Sequence, residues 1–315
     1  MKQSFIVALV AFLTACSSST PTPSETIPET KPGGGVITQP PAKSTRPEGS
    51  PDVFVLAVSG KCFFDDYGKP CFNILPSETL KPKNTRNNYD YLSTKGTTFA
   101  VANRISKLGY VVGYKGFAAS LFDRENSGTG ELKTHLGFTS LVANADEIFQ
   151  KYIKGFSNPS KIVLLAHSHG VVWSHLLTKF RPSIPVEAQI DLDGVCAYWS
   201  TDNKGDFSDT RNTTDIDYSD FCALQDPTDG GKPNDLQNLV FPNVKWNFEA
   251  QASNDFILNK TIVHDGFNNH RINGAFGADA YIFSLQFPVN HSKVTDPSSE
   301  AMDWILKSMD IIFKK

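Results

Sequence analysis

One serine in the chain stands in a setting that could make its hydroxyl a nucleophile. Ser168 has a small residue two positions before it, Ala166, and another two positions after it, Gly170. The motif follows the apolar run 161–166, which is typical of a buried strand, and precedes a helical pattern over 171–180. A sharp strand-to-helix turn needs small residues and leaves the serine hydroxyl exposed on a strained bend. This context predicts a nucleophilic serine rather than a chance small-x-Ser-x-Gly match.

Around this serine, short apolar runs alternate with helical patterns from residue 52 onward. The runs predict strands over 53–58, 110–114, 161–166, 186–192, 244–250 and 280–287. The 3.6-residue periodicity predicts helices over 97–108, 141–153, 171–180 and 298–312. Strands that alternate with helices indicate an α/β domain in which helices cover both faces of a parallel sheet.

With the serine turn set in this pattern, residues 52–315 resemble the α/β-hydrolase family, and serine esterases and lipases within it. Ala166 stands where that family more often has glycine, and Ser59-Gly60 looks like the end of its oxyanion strand. The resemblance implies an α/β-hydrolase fold with a central, mostly parallel sheet flanked by helices. The long polar segment 194–243 is an insertion where the family often carries a lid, after the sixth strand in the family's order, and we expect a disulfide to pin it. The resemblance implies no cofactor and no metal.

A serine at neutral pH needs a neighbouring base, and the sequence offers seven histidines. His291 lies just past the last predicted strand and just before the last helix, which is where the family places its catalytic histidine. His167 and His169 flank the serine, so we expect their side chains to point away from its proton and to shape the pocket. The remaining four are interpreted as packing, surface or insertion residues: His135, His175, His264 and His270.

Two aspartates satisfy the family's order of serine, acid and histidine. Asp255 lies a few residues past the strand predicted over 244–250, which is the commoner placement of the acid. Asp193 lies at the end of the preceding strand, as in some lipases. The acid fixes the tautomer of the catalytic histidine. The sequence leaves this choice open.

By the same resemblance, two backbone N–H groups would hold the oxyanion of the reaction. One would belong to His169, the residue after the serine. The second would belong to Lys61 or Cys62 in the loop after Gly60. Rigid donors matter because oxyanion stabilisation depends on preorganisation.

The insertion is rich in aspartate and poor in large apolar residues. A calcium loop is one interpretation, but no Asp-x-Asp-x-Asp-Gly segment with a closing glutamate is present, so a solvated loop pinned by a disulfide is favoured. A lid that opens onto lipid would be amphipathic, which argues against an interfacial lipase. The aspartates are Asp202, Asp206, Asp209, Asp215, Asp217, Asp220, Asp226 and Asp229.

Composition narrows the classes of partner. The chain has 315 residues, 40% of them hydrophobic and 20% charged, as in an ordinary globular protein. The formal net charge is −3, and no long run of Lys or Arg occurs. These features argue against a nucleic-acid partner and against a basic membrane-binding face.

The N-terminus has the pattern of a bacterial lipoprotein. Residues 1–15 combine one lysine with a short apolar stretch, too short to span a bilayer, and are interpreted as a signal peptide. Small residues just before Cys16 resemble a lipobox, which predicts lipidation of Cys16. Ser17, rather than aspartate, follows it, which favours the outer membrane of a Gram-negative cell, on its periplasmic or its outer face. Residues 16–51 are predicted to be a disordered Ser/Thr/Pro/Gly tether.

With Cys16 lipidated, four of the five cysteines remain, and an even number in an exported chain favours disulfides. Three pairings are possible. We expect the sequentially local one, Cys62 with Cys71 and Cys196 with Cys222. The spacings do not resemble a zinc site.

These observations predict an envelope-anchored, monomeric serine hydrolase that cleaves small-molecule or lipid esters of carboxylic acids. A lipase, a thioesterase or a peptidase would use the same triad, and the fold does not separate them. A surface lipoprotein that keeps the fold for binding alone is the alternative from another class. A structural envelope anchor would need a peptidoglycan-binding module, and none is recognisable in the sequence.

Overall fold

The computed structural model describes residues 43–61, 89–126, 133–209, 218–222, 234–253, 268–272 and 281–314. Several predictions concern residues outside these ranges. They are the signal peptide (1–15), lipidation of Cys16, the Cys62–Cys71 bridge, Cys62 as an oxyanion donor, Asp255 as the acid, and the role of His264.

The strands of the described residues are β1 Val53–Val58, β2 Val112–Phe117, β3 Arg124–Asn126, β4 Lys133–His135, β5 Lys161–His167, β6 Val186–Leu192, β7 Leu239–Val240, β8 Val244–Ala252, β9 His270–Arg271 and β10 Ile282–Phe287. Six of them form one sheet in the order β10-β8-β6-β5-β1-β2, and every neighbouring pair in it is parallel. β3 and β4 form a separate antiparallel pair, and β7 and β9 a separate parallel one. Each strand predicted from an apolar run is present in the large sheet.

The helices are α1 Tyr91–Thr94, α2 Thr97–Lys107, α3 Phe138–Ile148, α4 His169–Phe180, α5 Trp199–Asp202, α6 Lys204–Phe207 and α7 Glu300–Ile312. α3 continues into a π-helical turn, Phe149–Ile153. α7 begins two residues later than predicted because Ser299 caps it, accepting the backbone N–H of Met302. In the part of the chain that the structure describes, no helix is long and apolar enough to cross a membrane.

Alternate residues of the central strands feed two separate cores. In β1, Val53, Val55 and Ala57 pack with α1, α2 and α7, whereas Leu56 and Val58 pack with α3 and α4. This division follows from the two-residue side-chain period of a strand. A parallel sheet covered on both faces needs apolar residues on both, which is why β1 and β5 are almost continuously apolar. The predicted architecture, a central parallel sheet flanked by helices, is confirmed.

The start of the domain lies earlier than the sequence predicted. Ser44 forms a β-bridge with Phe156. The guanidinium of Arg46 donates to Ser160 Oγ at 3.0 Å and pairs with Asp52. Residues 44–51, predicted as the end of the tether, therefore contact the folded domain.

The insertion after β6 is pinned by a disulfide between Cys196 and Cys222, as predicted. Its described residues are less solvated than its composition suggests. Trp199 is fully buried, with its ring centroid 4.9 Å from that of Trp173 in α4. Phe207 stacks on Tyr218 with centroids 4.3 Å apart. A few aromatic side chains anchor the insertion to α4. Because each aromatic ring buries a large area, a segment with few apolar residues can still pack firmly.

Candidate active site

Ser168 occupies a strained turn between β5 and α4. Its backbone has φ of 56° and ψ of −132°, a region that residues with a side chain rarely adopt. Ser168 is 5% exposed, and its N–H donates to the carbonyl of Leu192 at 3.1 Å. Such strain persists only where the surroundings enforce it, and it clusters at functional sites. The strand–turn–helix context that the sequence predicted for this serine is present.

Glycines on either side of the turn allow this geometry. A Cβ on Gly170 would lie 2.2 Å from the carbonyl oxygen of Val58, so the start of α4 packs directly against the end of β1. A Cβ on Gly60 would lie 2.4 Å from the Cβ of Ser168. Only glycine permits these approaches, which bring the backbone after β1 against the serine.

His291 and Asp193 form a hydrogen-bonded pair at the same edge of the sheet. His291 follows β10, and its Nδ1 lies 2.6 Å from Asp193 Oδ2. Asp193 directly follows β6 and is 1% exposed. The carboxyl ends of parallel strands meet at one edge of the sheet, so the turn after β5 places Ser168 at the same edge as this pair. A buried carboxylate that accepts Nδ1–H leaves Nε2 unprotonated, the tautomer that a general base requires.

The second oxygen of Asp193 is also fixed. The backbone N–H of Ala252, the last residue of β8, donates to Asp193 Oδ1 at 2.9 Å. The N–H of Asp193 donates to the carbonyl of Ala250 at 2.7 Å, and its φ is 46°. Both carboxylate oxygens thus have partners. These contacts hold Asp193 against His291; Asp255, the other predicted acid, lies outside the described residues.

His167, which precedes the serine, turns towards His291 rather than towards the serine hydroxyl. Its Nε2 lies 2.8 Å from the carbonyl oxygen of His291, and its Nδ1 contacts the hydroxyl of Tyr91. The imidazole rings of His167 and His291 have centroids 4.4 Å apart. Burial, followed by the proximity of His291, lowers the pKa of His167 well below its usual value, so His167 is neutral at pH 7.

On the oxyanion side, the structure describes two of the three predicted donors, His169 and Lys61. The N–H of Gly60 donates to the hydroxyl of Tyr91 at 2.8 Å and is therefore committed. Lys61 is the next residue along, and Cys62 lies outside the described ranges. His169 is the first residue of α4, and N–H groups in a first helical turn have no acceptor within the helix. The backbone amides of His169, Lys61 and Cys62 all stay predictions.

The insertion contacts the site through polar groups. The ammonium of Lys61 pairs with Asp202 in α5, and the two side chains are 7% and 4% exposed. His169 Nε2 lies 2.8 Å from the carbonyl of Ala197, and its Nδ1 lies 3.9 Å from Asp202. His169 thus joins α4 to the insertion.

A second buried polar cluster lies on β6 and β8, apart from the serine. Asp191 Oδ2 is 3.0 Å from His175 Nε2 and accepts amide protons from Asn247 and Asn269. Burial raises the pKa of neighbouring Glu249 to about 7. His175 is fully buried, so the packing role is correct and the surface alternative is wrong.

Sequence reasoning missed Tyr91 and Asp202. Tyr91 lies far from Ser168 in the chain, and no motif marks it. Asp202 was noted only as one of many aspartates in the insertion. No local sequence feature marks either residue, because each contact depends on how elements distant in the chain pack together.

No family model matches the chain, and no curated protein matches its sequence. Among solved structures, it is similar to one of the metagenome-derived lipolytic enzymes LipS and LipT, at 12% identity and a TM-score of 0.39, over 87% of this chain and 97% of that one. It is similar to the esterase domain of a Rhodothermus marinus protein at 12% identity and a TM-score of 0.34, over 84% and 90% of the two chains. It is also similar to an α/β-hydrolase superfamily protein from Enterococcus faecalis, at 10% identity and a TM-score of 0.35, over 86% and 93%. At TM-scores below 0.5, these similarities do not identify the activity of this chain.

Proposed function

We propose that the chain is a serine hydrolase that cleaves esters of carboxylic acids through an acyl-enzyme on Ser168. The observation that carries this proposal is the Asp193–His291 hydrogen bond at the edge of the sheet where Ser168 occupies its strained turn. Nucleophile, base and orienting acid come from the ends of three different elements. A serine hydrolase requires this set of side chains.

In the proposed reaction, Nε2 of His291 accepts the proton of the Ser168 hydroxyl as its oxygen attacks the ester carbonyl. The backbone N–H groups of His169 and Lys61 stabilise the oxyanion that develops. His291 then donates its proton to the departing alkoxide, which leaves as an alcohol. Water, deprotonated by His291, then attacks the acyl carbon. The bond from that carbon to the Ser168 oxygen breaks, His291 returns the proton to this oxygen, and the carboxylic acid leaves. Asp193 holds the imidazole in the productive tautomer and stabilises its charged form throughout.

We propose short or polar acyl groups as the substrate class. The described part of the insertion reaches the site through the Lys61–Asp202 ion pair and through the bond from His169 to a backbone carbonyl. An ion pair offers little to a long alkyl chain, since desolvation of charge against apolar groups is unfavourable.

Hydrolysis of p-nitrophenyl esters of increasing acyl length tests this proposal. We expect turnover that is highest with acetate or butyrate and low with palmitate. Ser168→Ala should abolish turnover above the solution rate, while Ser174→Ala, which alters a buried serine within α4, should retain it. A maximal rate on palmitate would refute the substrate class, and an active Ser168→Ala variant would refute the hydrolase itself.

We further propose that the protein is a lipoprotein of the cell envelope, lipidated at Cys16 and tethered to the outer membrane. The support is the lipobox-like sequence before Cys16 and the Ser/Thr/Pro/Gly composition of the segment after it. Expression in a Gram-negative host should place the chain in the outer-membrane fraction with a lipid-modified N-terminal peptide. A Cys16→Ala chain that fractionates identically would contradict lipidation.

A further inference from the structure

Two parts of the hydrogen-bond network around Ser168 are not explained by the reaction steps: His167 and Tyr91. Both side chains are buried, at 3% and 6% exposure, and neither is assigned to proton transfer. Each connects segments that are distant in the chain. Elementary chemistry fixes which group donates and which accepts in each of their hydrogen bonds.

The carbonyl of His291 can only accept a hydrogen bond, so Nε2 of His167, 2.8 Å away, carries a proton and donates. Because His167 is neutral, its Nδ1 has a lone pair and accepts the hydroxyl proton of Tyr91. The oxygen of Tyr91 in turn accepts the N–H of Gly60 at 2.8 Å. Every polar group in this relay has a partner, and the directions agree throughout.

The relay joins three parts of the site. Gly60 directly precedes Lys61, a predicted oxyanion donor. His167 is covalently attached to Ser168. The bond from His167 reaches the main chain of His291, whereas Asp193 holds that residue's imidazole. The proposed base is therefore fixed at its side chain by one contact and at its backbone by another.

We propose that His167, supported by Tyr91, is a positioning residue that sets the distance between the Ser168 hydroxyl and the base His291. This inference rests on the proposed hydrolase function. Proton transfer between two side chains depends steeply on their separation, and a misplacement of about 1 Å can cost about 100-fold in rate. A bond from the residue beside the nucleophile to the backbone of the base removes that freedom.

Replacing His167 by glutamine or by asparagine distinguishes loss of the bond to His291 from a mere change in the size or polarity of the side chain. In His167→Gln, the side-chain amide nitrogen replaces Nε2 and can still donate to the carbonyl of His291. In His167→Asn, the shorter amide replaces only the Nδ1 position and cannot reach that carbonyl. We expect His167→Asn to lower kcat by about 10- to 100-fold with KM nearly unchanged, and His167→Gln to lie within about threefold of wild type.

Tyr91→Phe tests the other end of the relay. It keeps the ring but removes both the donor to His167 and the acceptor for Gly60, so we expect a loss of about tenfold in kcat. His175→Gln is the matched control. It places an amide at a buried histidine in α4 that contacts Asp191 and Leu239 rather than the site, and it should leave kcat of the folded protein unchanged.

The experiment measures kcat and KM on a p-nitrophenyl ester, the rate of labelling by a fluorophosphonate, and the side-chain ¹⁵N spectrum of His167. The proposal expects slow labelling of His167→Asn, near-normal labelling of His167→Gln, and a neutral His167 ring protonated at Nε2. Equal rates for the two amide variants, or a ring protonated at Nδ1, would overturn the positioning role while leaving the hydrolase intact. A wild-type Ser168 that neither turns over ester nor reacts with the fluorophosphonate would refute the hydrolase, and the positioning role with it.

Discussion

Replacing Asp193 by asparagine changes one atom, and the structure determines where that atom goes. The N–H of Ala252 donates to Oδ1 of Asp193, so this position must remain an oxygen. The new amide NH₂ therefore takes the place of Oδ2, facing Nδ1 of His291. Since an NH₂ group donates, the imidazole must accept at Nδ1 and carry its proton at Nε2. That tautomer cannot accept the proton of Ser168.

The expected loss follows from this reversal. A wrongly protonated imidazole in an otherwise intact serine–histidine–acid site costs about 10⁴-fold in kcat. At 1.36 kcal/mol for each factor of ten, this is about 5 kcal/mol of transition-state stabilisation. Because the substitution is isosteric and keeps the bond to Ala252, we expect the fold and KM to change little.

Steady-state hydrolysis of a p-nitrophenyl ester, with thermal unfolding followed by circular dichroism, checks this prediction. Asp191→Asn is the matched control. Asp191 lies in β6, two residues before Asp193, and is equally buried at 1% exposure, but it pairs with His175, Asn247 and Asn269 instead of the site. It should lower stability and leave kcat of the folded fraction within about threefold.

A loss of less than tenfold in Asp193→Asn, or an equal loss in Asp191→Asn, would refute the role of the Asp193–His291 bond. Asp255→Asn completes the comparison, because the sequence left both aspartates open. A large loss in Asp255→Asn beside an active Asp193→Asn would assign the acid to Asp255. The account predicts the reverse.

Three further predictions concern stability. Burial raises the pKa of Glu249 from 4.5 to about 7, so between these pH values the native state holds a proton that the unfolded chain has released. The free energy of unfolding therefore falls by about 3 kcal/mol as the pH rises through this window. Urea unfolding at pH 5 and pH 8 should show this fall in wild type and not in Glu249→Gln. Gly170→Ala drives a Cβ to 2.2 Å from a backbone oxygen and should cost about 3 kcal/mol, whereas Gly205→Ala, with nothing within 4 Å, should cost less than about 1 kcal/mol, both by the same urea assay. Removing the Cys196–Cys222 bond by double substitution to serine frees a loop with a sequence separation of 26 and should cost about 3 to 4 kcal/mol, seen as a lower melting temperature; an unchanged melting temperature would contradict a stabilising role.

Local patterns were enough to predict most of the fold. β1 and β6 begin and end at the predicted residues, because buried parallel strands are continuous apolar runs bounded by turn residues. Ser168 was identifiable because the constraints on a sharp strand-to-helix turn are local and leave small residues in the sequence. The predicted end of β8 was two residues short, since Gln251 and Ala252 continue the strand with a polar residue.

The network around the serine was less accessible. Asp193 and Asp255 both have the correct order relative to Ser168 and His291. The contact of Asp193 with the imidazole depends on how the segment after β6 packs beside the segment after β10, which no sequence pattern encodes. Tyr91 lies on a short helix with no motif. Such contacts depend on the three-dimensional approach of distant segments, which a periodicity does not encode.

In the proposed reaction Ser168 is an activated nucleophile, and covalent labelling tests this role without knowledge of the substrate. Wild-type protein is incubated with a fluorophosphonate at pH 7 and analysed by intact mass and by peptide mapping, beside Ser168→Ala. The account predicts one adduct on wild type, located on the peptide that contains Ser168, and none on the variant. An unlabelled wild type, or a label that persists in Ser168→Ala, would contradict it.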